Sequence, residues 1–234
     1  SLRQLVHVGA SAPPVLRRRA WDRLGPVLAH TYGASDMGLV SMLQPARFDP
    51  ARPETFSSAG HVLPGVTLRL RRADGRLAGV DEAGIVEIQS PAMAAGYRNR
   101  PSEEAEAFRD GWFRSGDLAR RDASGELHIL GRAADAIEVH GVVVLPTMIE
   151  ETLCRLPCIR YAAVVAKPGA RCWVAAVVAW PGQTFDPAAC RRALAAAHGD
   201  AVAQAVAWLS VSRVPLSEQG KPDRAAILRL AAAA

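Results

Sequence analysis

No stretch of this sequence reaches the roughly 18 consecutive apolar residues that a membrane-spanning helix requires. The longest candidate, YAAVVAKPGARCWVAAVVAW, is interrupted by Lys167, Pro168, Gly169 and Arg171 and reads as two strands joined by a turn. Cysteine is sparse. Cys154, Cys158, Cys172 and Cys190 form no CxxC pair and face no histidine ladder, so a structural zinc site is disfavoured and a reduced, cytoplasmic setting is expected. Aromatic residues make up only 6% of the chain, and the basic residues are dispersed as Arg17 to Arg19, Arg71–Arg72, Arg120–Arg121 and Arg191–Arg192. A net charge of +5 spread in this way lacks the concentrated, aromatic-interleaved surface of a nucleic-acid binder. The sequence begins at Ser1 with no basic segment leading into an apolar core, so no signal peptide is expected.

What is present suits a packed globule: 234 residues, half of them hydrophobic and 22% charged. RQLVHVGASAPPVLRRRAWDRLG predicts a short buried strand, a small-residue turn and a helix, with Ser11 as a cap and Pro13 and Pro14 in the first turn. PVLAHTYGASDMGLV predicts a second strand running into a loop that carries Tyr32, Gly33, Ser35 and Asp36. Strand ends of this kind mark the ligand-binding edge of an α/β sheet. From about Arg47 to Arg132 the pattern changes to period two, with ADG and ASG as turns, which predicts antiparallel sheet closing into a small barrel-like subdomain. From Ala133 onward strands and helices mix in a compact α+β unit. The expected division is therefore 1–132, with the β-rich part at about 47–132, and 133–234.

Several short stretches offer chemistry. In GWFRSGDLARRD the carboxylate of Asp117 suits a vicinal diol such as that of a ribose, although SGD is also an ordinary turn. Arg132 in GRAADAIEVHG either reaches a ligand or pairs with a neighbouring carboxylate, and Asp135 lies where the sequence pattern changes. TYGASD places a ring, a hydroxyl and a carboxylate within a few positions: Tyr32 to stack on a base, Ser35 to bond a phosphate, Asp36 to hold Mg²⁺. Near the C-terminus, RVPLSEQGKPDRAAIL sets Lys221 between Gly220 and Pro222, with Ser217 opening a turn and Asp223 as a cap for the helix that follows.

TYGASD, GIVEIQSPAMAAGY, GWFRSGDLARRD, GELHILGRAADAIEVHG and PLSEQGKPDRAAIL, in this order, resemble the adenylate-forming superfamily of acyl- and aryl-CoA ligases, peptide-synthetase adenylation domains and luciferases. The resemblance runs from about Leu5 to Leu228. It implies the end of a large adenylating domain, a sheet edge plus a β-barrel-like subdomain, followed by a small α+β lid domain. It implies ATP and Mg²⁺ as cofactors, a small carboxylic acid as substrate, and CoA or a phosphopantetheine carrier protein as thiol acceptor. By this resemblance Tyr32 packs on adenine beside Gly33, Ser35 contacts the α-phosphate, Asp36 helps hold the metal, and Asp117 and Arg132 bind the ribose. Asp135 becomes the pivot of the lid and Gly141 lines the pantetheine tunnel. Lys221 meets the reacting carboxylate and α-phosphate, and Val8, Gly9, Ala10, Met37 and Gly38 belong to the acid pocket.

The chain departs from the family pattern in places. Ser35 and Asp36 stand for threonine and glutamate, Ser115 for threonine, Glu138 for lysine and Met148 for the first glutamate of PxEIE, while Glu150 keeps the second. The Ser/Thr/Gly-rich phosphate loop expected upstream of TYGASD has no counterpart, and Gly220–Lys221, followed by proline, lacks the P-loop spacing. The expectation is the C-terminal part of an acid–thiol ligase, inactive alone and partnered by the missing N-terminal half. The alternative is a non-catalytic module that binds nucleotide or carrier protein.

Overall fold

The computed structural model describes residues 2–10 and 12–233. Two compact units divide the chain, Ser1–Ala133 and Ala134–Ala234.

The first unit opens with strand β1 (Leu5–His7), helix α1 (Pro14–Leu24) and strand β2 (Leu28–Ala34), which pairs parallel with β1 in the register Leu5↔Leu28 to His7↔His30. Pro14 sits at the first helical position, where a missing N–H costs nothing. Pro13 precedes it without a side-chain cap, and Ser11 lies outside the described residues. β1 was expected to be buried, yet Leu5 and Val6 are 40% and 43% exposed because β1 is an edge strand with one partner. β2 also runs further than its composition suggested. Tyr32, Gly33 and Ala34 are still strand, and only residues 35–37 turn before β3 (Gly38–Leu43) returns antiparallel. A short β4 (His61–Val62) completes this sheet in the order β1-β2-β3-β4.

A second sheet follows, all antiparallel: β5 (Thr67–Arg71), β6 (Gly84–Gln89), β7 (Phe108–Arg109), β8 (Trp112–Arg121) and β9 (Leu127–Arg132). Long β8 is the organiser, pairing with β6, β7 and β9 and bulging near Gly116, so the sheet curls as the period-two pattern predicts. Helix α2 (Pro101–Ala107) interrupts it and was not expected, although Pro101 with Glu103 and Glu104 is a proper helix start. Tyr32 and Val40 from the first sheet, with Met37 from the turn between β2 and β3, pack with Val86, Ile88, Phe113, Ala119 and Leu127 from the second. The Tyr32 side chain is thus part of the seam between the sheets.

In the second unit β10 (Ile137–Val139) and β11 (Val142–Val144) form a hairpin closed by His140 and Gly141. Their φ values, 50° and 83°, are both left-handed, as a type I′ hairpin turn requires. Then come α3 (Pro146–Cys154), β12 (Ile159–Ala166), β13 (Trp173–Ala179), α4 (Pro187–His198), α5 (Asp200–Gln204), β14 (Val206–Ser210) and α6 (Arg224–Ala232). β13 is central, antiparallel to β12 and parallel to β14, and its WVAAVVA run is buried almost throughout. Asp186 caps α4 by accepting from Ala188 N and Ala189 N at 2.9 and 3.1 Å. Gly199, at φ 88°, ends α4 and starts the separate turn of α5, which the alanine-rich sequence had concealed. Ile227, fully buried, anchors α6 to β12 and β13 residues such as Val165 and Val174.

Candidate functional site

Three strands of the first unit converge on one cluster of side chains. Asp117 on β8 and Arg132 on β9 are direct cross-strand neighbours, with Arg132 Nε 3.4 Å from Asp117 Oδ1. Arg132 Nη1 donates to the Ser115 carbonyl at 2.6 Å. From β2, the Tyr32 hydroxyl donates to Asp117 Oδ2 at 2.6 Å and lies 3.2 Å from Ser115 Oγ. Ser115 Oγ in turn accepts the Asp117 backbone N–H at 3.0 Å. The left-handed φ of 74° at Gly116 lets β8 turn both neighbours toward Tyr32.

The electrostatics follow from the placement. Burial, and then the adjacent Asp117 carboxylate, push the Tyr32 phenol well above its ordinary pKa, so it acts as a fixed donor. Asp117 is 16% exposed at its side chain, whereas Arg132 is 56% exposed. A carboxylate accepts about four hydrogen bonds, so Asp117 retains acceptor capacity after Tyr32 and Arg132 are counted.

The 35–37 turn lies beside this cluster. Ser35 is exposed and Asp36 half-buried. Ala94 N donates to the Asp36 carbonyl at 2.9 Å, and the Asp36 carboxylate lies close enough to the Tyr97 phenol to act on its titration. Burial followed by that carboxylate raises the Tyr97 phenol pKa, while the charge of Arg132 opposes the shift. Tyr97 was not singled out from the sequence, although it closes the GIVEIQSPAMAAGY block. Two glycines hold the turn. A Cβ at Gly33 would lie 2.9 Å from Leu39 Cα and closer still to the Gly38 carbonyl, and one at Gly38 would lie 2.6 Å from Ala92 Cβ. Among the described residues no group of three or more His, Cys, Asp or Glu is placed to hold a metal ion. Asp36 therefore stands as a single carboxylate. That fits Mg²⁺, which is commonly held by one or two carboxylates together with substrate phosphates and water.

The acid-pocket candidates are less uniform. Val8 is 53% exposed and Gly9, at φ 84°, follows the end of β1. The Met37 side chain is fully buried among core residues and presents no wall to a ligand, because the turn folds it inward against Val40 and Ala59. A further polar pair went unnoticed in the sequence. His7 and His30 stack with ring centroids 4.9 Å apart and Nδ1 atoms 2.9 Å apart. Burial, then the Arg17 charge, then His7 pull the His30 pKa down to about 3.

In the second unit Lys221 is exposed on a tight loop. Ser217 N donates to the Lys221 carbonyl at 2.7 Å, Gly220 N to Ser217 O at 2.9 Å, and Asp223 N to Pro215 O at 2.9 Å. Gly220 has φ 75°, and Asp223 caps α6 by accepting from Ala226 N at 2.9 Å. Asp135, in the turn Ala133–Asp135, is gripped by both terminal nitrogens of Arg224. Glu150 is half-buried, senses the charges of both Arg224 and Asp135, and accepts from Val164 N at 2.9 Å. Burial raises its pKa to about 7 against the lowering effects of that bond and of Arg224. Glu138 is exposed on the hairpin, Met148 is 37% exposed, and Gly141 occupies the turn described above.

Comparisons with known proteins agree on one family. The AMP-binding enzyme family matches residues 1–98. The medium/long-chain-fatty-acid–CoA ligase FadD8 of Mycobacterium tuberculosis is 31% identical over 96% of this chain and 41% of its own length. The fatty acid–[acyl-carrier-protein] ligase ScoC of Streptomyces coeruleorubidus is 32% identical over 80% of this chain and 37% of its own. Among solved structures, the amide bond synthetase McbA of Marinactinospora thermotolerans superposes with a TM-score of 0.88 at 31% identity, covering 97% of this chain and 46% of that one. The chain thus spans about two fifths of the length of these two curated relatives, and less of several others.

Proposed function

The chain belongs to the AMP-binding, adenylate-forming enzymes, and from that premise we propose that it forms part of an ATP-dependent ligase that activates a carboxylic acid as its acyl-adenylate and passes the acyl group to a thiol. The observation that carries this reading is the convergence of Tyr32, Ser115, Asp117 and Arg132 on one surface of the first unit. Asp117 accepts the two ribose hydroxyls, with Tyr32 fixing one of its oxygens and Arg132 holding the other. Gly33 and Gly38 keep the turn tight enough for Ser35 to reach the α-phosphate.

In the first half-reaction a carboxylate oxygen attacks the α-phosphorus, the bond to the β-phosphate bridging oxygen breaks, and pyrophosphate leaves. Mg²⁺ held with the help of Asp36 neutralises phosphate charge when bound. Lys221 offsets the negative charge gathering on the carboxylate and α-phosphate oxygens. In the second half-reaction a thiolate sulfur attacks the acyl carbon, the acyl–phosphate C–O bond breaks, and AMP leaves. Asp135 is the pivot between the two steps and Gly141 admits the thiol arm. The acceptor is CoA or a carrier-bound phosphopantetheine. A second reading, in which an amine captures the acyl-adenylate, is favoured by the likeness to an amide bond synthetase over nearly the whole chain. A non-catalytic nucleotide-binding role would keep the Asp117 cluster but leave Lys221 without effect.

AMP binding to this chain, followed by calorimetry, tests the core of the proposal. Saturable binding that Asp117→Ala weakens at least tenfold is expected. No binding, or equal affinity in that variant, refutes the nucleotide site. For the enzyme carrying this chain, mass spectrometry of acid, ATP and CoA mixtures against acid, ATP and amine mixtures identifies the acceptor. Lys221→Ala is expected to slow pyrophosphate exchange by at least a hundredfold.

A further inference from the structure

Arg224 is placed where helix electrostatics do not favour it. It is the first residue of α6, and a cation in the first turn opposes the helix dipole. Its guanidinium nevertheless has a fixed task. Nη1 donates to Asp135 Oδ1 at 2.6 Å and Nη2 donates to Oδ2, a two-pronged pair joining positions 89 residues apart. Asp135 is only 14% exposed at its side chain, so the pair is partly shielded although Arg224 is 53% exposed. Asp135, through its hydrogen bond and its charge, acts on the guanidinium ahead of Glu150, which contributes by charge alone.

The covalent neighbourhood of Arg224 gives this pair its consequence. Asp223 caps α6 and donates its own N–H to Pro215 O. Leu216 and Pro222 bridge across the loop, and Lys221 lies between that bridge and the bond from Ser217 N. Ile227, one turn into α6, is fully buried and fixes the helix to the sheet. The loop is therefore held on one side by the core and on the other by Asp135.

We propose that Arg224 is a positioning residue which ties the Lys221 loop to Asp135, so that the order of the loop depends on the turn at the start of the second unit. This rests on the reading of Lys221 and Asp135 given above for its functional meaning, though not for its test. An arginine is needed because the planar fork grips both carboxylate oxygens at once, which an ammonium does not reproduce.

Hydrogen exchange on this chain tests the coupling. The reporters are the amides of Ser217, Gly220 and Asp223, each of which donates within the loop. Arg224→Ala and Asp135→Ala are each expected to speed their exchange about threefold to tenfold. The β13 amides, deep in the same unit, keep their wild-type rates. The double variant exchanges no faster than either single one, because both remove the same bond. Arg224→Lys is expected to restore part of the protection. Unchanged loop exchange in both single variants overturns the proposal, as do additive effects. Faster exchange throughout β13 overturns it too, since that signals general destabilisation. Exchange requires neither nucleotide nor turnover. Failure to bind AMP therefore refutes the function proposed above without touching this coupling, and an uncoupled loop in a chain that binds AMP refutes the coupling alone.

Discussion

Replacing Tyr32 by phenylalanine removes a single oxygen from the centre of the Asp117 cluster. The ring is 9% exposed and packs with Met37, Val40, Val86 and Phe113, so a phenyl group keeps the apolar contacts. The loss is confined to the 2.6 Å bond to Asp117 Oδ2 and the 3.2 Å approach to Ser115 Oγ. A hydrogen bond to a charged acceptor contributes about 1.5–3 kcal/mol. Asp117 keeps some solvent contact and Arg132 is more than half exposed, so water replaces part of the lost bond. The lower half of that range follows, about 1.5–2 kcal/mol. Urea denaturation of the first unit at pH 7, in Tyr32→Phe, Asp117→Asn and the double variant, measures it. The double variant should be more stable than the sum of the singles implies, by about 1 kcal/mol, because the two residues share one bond. A Tyr32→Phe cost below about 0.5 kcal/mol, or strict additivity, refutes the idea that the phenol braces the carboxylate.

The remaining expectations concern titrating groups and backbone fit. His30 has a folded pKa of about 3 against an ordinary 6.5, so its neutral form stabilises the fold above pH 6.5 and that contribution is lost as pH falls towards 3. Chemical denaturation across this window should show a loss of about 4 kcal/mol that His30→Gln largely removes; a flat profile refutes it. Glu150 behaves in the opposite sense. Its folded pKa of about 7 lies above the usual 4.5, so its contribution is complete below pH 4.5 and declines as pH rises through 7. Glu150→Gln, which can still accept from Val164 N, should therefore stabilise the second unit at pH 8 by about 3 kcal/mol; equal or lower stability refutes this. Ultraviolet titration of the three tyrosines should show no phenol ionising at its ordinary pH in the folded chain, since Tyr32, Tyr97 and Tyr161 are all shifted upward, chiefly by burial. Gly33→Ala forces a methyl group against Leu39 Cα and the Gly38 carbonyl, and should destabilise the first unit by about 2 kcal/mol or more in the same denaturation assay.

The sequence alone was enough for the family and the mixed α/β fold class, because both rest on local pattern. Period-two alternation in stretches such as VTLRLRR, GIVEIQS and ELHILG reads as antiparallel sheet, and WVAAVVA reads as a strand, although its central place in the sheet does not show in the sequence. The Asp223 cap was equally legible, since a cap acts within three residues of itself. Edge and partner were not. LVH reads the same whether it is buried or at the rim of a sheet, and the polar PSEEAEA resembles a loop until the chain around it holds it as a helix. The meeting of side chains was decided entirely in three dimensions. Tyr32 and Asp117 are 85 residues apart and touch because β2 and the bulged β8 line the same seam. Arg224 and Asp135 are 89 apart, and nothing in either neighbourhood names the other. His7 and His30 pair only because β1 and β2 lie parallel in that register. Sequence pattern encodes propensity and amphipathicity over a few residues, whereas hydrogen bonds and desolvation depend on distances that only the packed chain sets.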